Sequence, residues 1–562
     1  MCVALLALTL AATAAGSTAA PERNTRSVSV IVREQPGAGN GPERLVRRLG
    51  GRVGRHIQII DAFVATVPRS RLGALESAAG VHSVTLNRRV RLASDLDGWD
   101  QQHDPGSMFG VYMSTGADEM WNKGYSGRGV DVALIDSGVL PVDGLATTSK
   151  IVHGADLSFE SQVPSLRYLD TYGHGTHMAG IIAGRDNGLT RTQKDANVFQ
   201  GMAPEARIVS VKVADAHGLT DVSQVLAGID WVVQHRRDNG LNIRVLNLSF
   251  GTDGVQHYRV DPLTYAAEVA WRKGIVVVVA AGNAGFGSAK LNNPAYDPFV
   301  IAVGAADGKG TYGTSDDLVP SWSSSGDGTR NPDLVAPGKS VVSLRAPGSH
   351  IDLTNPVGRV GYSRFFRGSG TSQAAAVVSG AAALLIHQRP AITPDQVKAL
   401  LKGSATAIPG SDTRAQGSGM LNLKVARDKT TPIARQLHTL ATGLGSLEAA
   451  RGSLHLVAEN GVELRGEADI FGHPWDPLVW ASESLTEISW SGGTWNANAW
   501  TGNAWSGNAW EANAWEANAW YGNAWSGNAW EGNAWSGNAW EANAWEANAW
   551  AGNAWASTAW GD

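Results

Sequence analysis

Five short runs rich in valine and isoleucine recur in the middle of the chain, at residues 130–135, 207–213, 243–248, 275–280 and 299–303. Apolar residues at successive positions, and not only at alternate ones, suit strands covered on both faces. Between them lie helical stretches such as 221–234 and 261–273, the second opening on Asp-Pro and closing before Gly274. Strand and helix alternating in this way predict an α/β fold, a parallel sheet flanked by helices. Ligands of such sheets gather at the carboxyl ends of the strands, so the polar residues there are the ones to weigh.

The first run ends at Asp136, in IDSGV. Asp-Ser-Gly alone is a common turn. In GHGTHMAG, His174 stands between two glycines just before an apolar helical run, which leaves an imidazole approachable and suited to proton transfer near neutral pH. His177 reads as packing within that helix, and Asp170 as an exposed-loop residue that orients the segment. The run 275–280 leads into AAGNAG, where Asn283 either occupies a turn or aims its amide at a developing oxyanion. In RGSGTSQAAAVVSGAAALL, Gly368 and Gly370 suit a sharp turn ahead of a helix apolar on every side. Thr371 and Ser372 then either cap that helix or present a nucleophile at its positive end. Acyl transfer needs a nucleophile, a base, an acid to hold the base and a donor for the oxyanion; Ser372, His174, Asp136 and Asn283 supply them.

The order Asp, His, Ser on an α/β sheet resembles the subtilisin-like serine proteases, the subtilases. The likeness runs from about Trp121 to Asn422, through IDSGV, GHGTHMAG, LNLSFG, AAGNAG, VIAVGA, DLVAPG and GTSQAAA. It implies a serine endopeptidase acting on polypeptides, in which Asp136 orients His174, His174 is base and then acid, and Ser372 is the nucleophile. Asn283 and the Ser372 backbone N–H then form the oxyanion hole. Ser249, Phe250 and Gly251, with Ala280, Ala281 and Gly282, line the cleft and pair with extended substrate. Ala284, an uncharged residue after Asn283, points to uncharged side chains in the primary pocket. Gln373 stands where the family commonly has methionine, and Ala376 where it commonly has proline. No cofactor is implied as required; many relatives bind structural calcium, for which this chain has no clear ligand motif.

Residues 26–92 alternate as β-α-β-β-α-β: strands at 27–32, 52–60, 62–67 and 81–86, helices at 42–49 and 70–79. That is a ferredoxin-like arrangement. The resemblance makes it a prodomain that inhibits the catalytic domain, 109–428, until it is cut off between residues 88 and 108. Residues 1–20 hold an apolar stretch too short to span a bilayer and read as a secretory signal, although no Lys or Arg precedes Arg23. Cys2 is the one cysteine, so removal of that segment excludes disulfides and thiolate metal sites. A net charge of −5 argues against a nucleic-acid partner. The expected location is outside the cell or on its surface.

Beyond the catalytic domain, 434–489 reads as a small β-rich segment with a hairpin turning at Asn460-Gly461. In 490–562 a tryptophan then recurs every fifth residue from Trp495 to Trp560, holding 14 of the chain's 22. One reading is a pentapeptide β-solenoid with Asn and Trp outside; the other is a low-complexity tail. Regular indoles suit attachment to a cell wall or glycan, or packing on another protein. The alternative from another class is a catalytically silent surface-binding protein that keeps the protease fold as a scaffold.

Overall fold

The computed structural model describes residues 27–87 and 99–499, apart from 148, 188, 190–193, 288–290, 310, 458–462, 492–493 and 497, together with 557–560. The expected signal segment, part of the expected processing region and most of the tryptophan repeat lie outside these residues. The chain divides into two units, one ending at Ser94 and the other beginning at Asp95.

In the first unit, β1 (Ser27–Glu34), α1 (Gly41–Arg48), β2 (Arg52–Ile57), β3 (Ala62–Pro68), α2 (Leu72–Glu76) and β4 (Val81–Leu86) follow one another. The strands form an antiparallel sheet in the order β2-β3-β1-β4. Val30 and Val32 of β1 and Phe63, Ala65 and Val67 of β3 alternate onto one face, where Val46 and Leu75 of the two helices cover them. The second strand is shorter than its sequence pattern predicts, because the chain turns at Gln58–Ile60 and Asp61 takes a left-handed φ of 47°.

The second unit is built on a seven-stranded parallel sheet in the order β11-β10-β9-β8-β5-β7-β6. Its strands are β5 (Asp131–Asp136), β6 (Ile151–Asp156), β7 (Arg207–Lys212), β8 (Ile243–Leu248), β9 (Val276–Ala280), β10 (Ile301–Ala306) and β11 (Leu334–Pro337). Val276, Val277, Val278 and Val279 are fully buried, as strands covered on both faces require. Four helices matter for the site: α3 (His174–Ala183), α4 (Val222–His235), α5 (Pro262–Arg272) and α6 (Thr371–Gln388). α3 packs on α6, α4 on α5, and α6 also lies along β8, β9 and β10. Residues 371–386 of α6 are buried throughout, matching a sequence apolar on every side.

A smaller antiparallel sheet delivers the chain into α6. Its strands β12 (Val341–Leu344) and β13 (Arg359–Val360) flank the start of β14 (Phe365–Gly370). Gly370 has φ 167°, an extended value, so β14 passes directly into the helix and neither Gly368 nor Gly370 takes a left-handed conformation there.

Among its described residues the segment 434–489 forms α7 (Leu447–Arg451) and α8 (Pro477–Thr486), with isolated bridges such as the antiparallel one between Val457 and Glu463; the hairpin turn expected at Asn460-Gly461 lies outside the described residues. After it, β15 (Trp490–Ser491), β16 (Thr494–Trp495) and β17 (Asn498–Ala499) make a short antiparallel meander. Together these elements form a strap across α4 and α5. Arg451, fully buried, donates from Nε to Asp221 Oδ2 at 2.7 Å, where Asp221 is also the cap of α4. Asp230 of α4 accepts from Trp480 Nε1 at 3.0 Å, Trp495 Nε1 at 2.9 Å and Ser484 Oγ at 2.6 Å. Both carboxylate oxygens of Glu268 on α5 accept from the Ala441 N–H, at 2.9 and 3.0 Å. Trp495, the first tryptophan of the repeat, thus points into the protein and not outward. Farther on, β18 (Ser557–Trp560) pairs antiparallel with the end of β14. Among the described residues no helix is long and apolar enough to cross a membrane.

Candidate active site

β5 ends on Asp136, α3 begins on His174, and the two side chains meet in a fully buried pair. His174 Nδ1 lies 2.9 Å from both carboxylate oxygens of Asp136. Facing a carboxylate, Nδ1 carries the ring proton, and Nε2 of the neutral ring is left as the basic nitrogen. The close approach of α3 to the loop after β5 requires glycine: a Cβ on Gly175 would meet Gly138 O at 2.1 Å.

The entry to α3 is held from below by a residue the sequence reading set in an exposed loop. Asp170 is 2% exposed. It accepts from the Gly173 N–H at 2.6 Å, the Thr176 N–H at 2.7 Å and Ser137 Oγ at 2.8 Å, and Ser137 Oγ accepts in turn from the Gly175 N–H at 3.0 Å. These first N–H groups of a helix have no partner within the helix, so a carboxylate there fixes His174 in place. Burial pushes the Asp170 carboxyl up, and its hydrogen bonds oppose that. His177 lies buried in α3, as expected, and burial, with the nearby His174, pushes its ring down to about 3, so it stays neutral.

Asn283 stands in the loop after β9 and Ser372 in the first turn of α6. Asn283 Oδ1 accepts from the Thr371 N–H at 3.0 Å and from Thr371 Oγ1 at 3.1 Å. A backbone N–H can only donate, so the oxygen of the amide must face Thr371 and its NH₂ must turn away. Thr371 Oγ1 also accepts from the Gly282 N–H at 3.1 Å, which ties the loop after β9 to the start of α6. Ser372, in the first turn of α6, has Oγ 3.5 Å from Ser249 O, and Ser249 Oγ is 3.4 Å from Ser372 O. Ser249, just past the end of β8, therefore lies beside the serine, with Phe250 and Gly251 following it in the chain.

The other segment expected to line a cleft, 280–282, is more fully engaged by the fold. The Ala281 N–H donates to Val303 O at 2.9 Å, the Gly282 N–H to Thr371, and Gly282 O accepts from the Ser324 N–H at 2.9 Å. Gln373 and Ala376, the two departures from the family pattern, are fully buried in an α6 that runs unbroken from Thr371 to Gln388. An alanine needs no kink there, and the helix has none. Sequence reading did not find Ser137 or the bracing role of Thr371; each stands directly beside a candidate residue, and a hydroxyl at that spacing was the available signal.

Comparison with known proteins gives a consistent picture. The subtilase family model matches residues 127–422. Serine protease AprX of Bacillus subtilis is 34% identical over 414 residues, covering 71% of this chain and 88% of that protein. Subtilisin DY of Bacillus licheniformis is 33% identical over 313 residues, covering 55% of this chain and 95% of that protein. Subtilisin Savinase of Lederbergia lenta is 34% identical over 305 residues, covering 54% and 93%.

Proposed function

The chain belongs to the subtilase family and is a subtilisin-like serine endopeptidase, and we propose that Asp136, His174 and Ser372 carry its reaction. Ser372 Oγ attacks the scissile carbonyl carbon while His174 Nε2 takes the hydroxyl proton. Asp136 keeps the other ring proton on Nδ1 and stabilises the imidazolium. The oxyanion accepts from Asn283 Nδ2 and the Ser372 backbone N–H, donors held in place before charge develops. The tetrahedral intermediate collapses, His174 protonates the leaving amine, and water repeats the sequence on the acyl-enzyme. Ser249, Phe250 and Gly251 pair with the substrate backbone. Ala280, Ala281 and Gly282, with backbone groups engaged in the fold, form a wall of the primary pocket.

The observation that carries this reading is the buried pair in which His174 Nδ1 sits 2.9 Å from both oxygens of Asp136. A silent scaffold has no use for that arrangement and is not favoured. Residues 26–92 act as an intramolecular inhibitor removed by self-cleavage between residues 88 and 108, and the mature enzyme works outside the cell. The tryptophan repeat attaches it to a wall or glycan surface. Because Trp490 and Trp495 are packed against α4 and β18 pairs with β14, the deletion that tests attachment removes residues 501–556.

The deciding comparison is wild type against Ser372→Ala, on a gel and with an unstructured protein substrate. Wild type sheds its N-terminal unit and cuts the substrate; the variant keeps the unit and loses turnover on the order of 10⁶, the loss that removing its serine brings in a subtilisin. Equal behaviour of the two chains overturns the assignment.

A further inference from the structure

The N-terminal unit holds a group of side chains that the reaction does not use. Glu34 ends β1, Glu43 sits in the first turn of α1, and His56 lies on β2. One ligand atom from each lies within 4.8 Å of the other two, the one such trio among the described residues. His56 Nε2 is 3.9 Å from Glu43 Oε1. Glu43 is only 5% exposed, and its Oε2, like Oε1 of Glu34, is enclosed with no hydrogen-bond partner. Burial, and then the neighbouring Glu43, push the Glu34 carboxyl up. Two carboxylates set against each other repel, and enclosed oxygens without donors are rare in folded proteins. A cation between them relieves both penalties.

We infer that Glu34, Glu43 and His56 form a binding site for a divalent transition-metal cation, zinc above all. Two carboxylate oxygens and an imidazole nitrogen are a borderline donor set that suits zinc, whereas calcium takes about six to eight oxygens. The His56 side chain is 56% exposed, so a fourth position opens to water. Tetrahedral zinc with bonds of about 2.0–2.1 Å sets its ligand atoms about 3.4 Å apart. From separations of at most 4.8 Å, rotamer changes of Glu34 and the exposed His56 close that gap. The bound ion then ties β1, α1 and β2 together and stabilises the unit by mass action.

The test uses the full chain carrying Ser372→Ala, with its intact mass checked so that the N-terminal unit is known to be attached. Zinc is titrated by calorimetry and Co²⁺ by its visible ligand-field absorption, and both are repeated with Glu43→Gln or His56→Ala added. The expected result is one zinc equivalent and a tetrahedral Co²⁺ band in the parent. Both variants should bind at least tenfold more weakly and lose the band, and zinc should raise the melting temperature of the parent alone. Matching isotherms in all three chains, or no zinc binding by the parent, overturns the inference. Circular dichroism monitors folding; should Glu43→Gln fail to fold, His56→Ala, at a half-exposed position, decides.

Discussion

Asn283 accepts two hydrogen bonds from Thr371, one from the backbone at 3.0 Å and one from the hydroxyl at 3.1 Å, and so presents its amide NH₂ away from α6. The donor is oriented before substrate arrives. Asn283→Ala should lower kcat on the order of 10²–10³, the loss that removing one oxyanion-hole donor brings in a subtilisin, with little change in KM. Thr371→Val removes one of the two braces and should cost less. Separate kcat and KM values on a peptide substrate check both, and a loss confined to KM counts against the oxyanion role.

Asp136 tests the base. Asp136→Asn keeps the side-chain shape but offers His174 Nδ1 an amide, which favours the wrong tautomer. Turnover should fall on the order of 10⁴ while the melting temperature holds. Steady-state kinetics beside a thermal melt separate the two effects.

Arg451 tests the strap. Burial pushes the Asp221 carboxyl up, but the Arg451 charge and hydrogen bond outweigh it and hold the group below its ordinary range. Arg451→Ala leaves that carboxylate buried and unpaired, a loss of about 3–5 kcal/mol. Adding Asp221→Asn, which still caps α4, should restore part of it. Denaturant unfolding of the three chains, in a Ser372→Ala background to prevent self-digestion, measures the recovery.

Asp230 gives a pH dependence. Burial pushes its carboxyl up to about 6 from an ordinary 3.8, so the folded chain holds this proton more tightly than the unfolded chain. Its stabilising contribution is complete below about pH 4 and is lost as pH rises through 6. Asp230→Asn stays neutral throughout; its oxygen can still accept from both indoles and its NH₂ can face the Ser484 hydroxyl. The variant should gain on the order of 1–3 kcal/mol over wild type at pH 7.5 and lose that advantage below pH 4. Thermal melts across this range decide it, and a wild-type advantage at pH 7.5 refutes the account.

The central strands were legible because they are covered on both faces, so that valine and isoleucine follow one another in β5, β8 and β9. β6 and β11 were not. β6 is a partly exposed edge strand interrupted by His153 and Gly154, and β11 is short and ends on Pro337. Asp136, His174, Asn283 and Ser372 stood out because each lies in a short motif at the end of a strand or the start of a helix. What braces them was hidden, since the work of Asp170 depends on its burial, which a loop composition does not reveal. Asp230 looks like an ordinary polar residue in VLAGIDWVV; its partners, Trp480 and Trp495, come 250 and 265 positions later.

That separation along the chain has a consequence in time. Arg451 follows Asp221 by 230 positions. At roughly 5–20 residues per second, α4 waits on the order of 10–50 s after its synthesis for the guanidinium that neutralises its cap. Ser372 has already been made by then. The segment that completes the scaffold thus arrives after the proposed nucleophile, and the order of synthesis separates the moment the chain possesses that serine from the moment it has a finished frame to hold it.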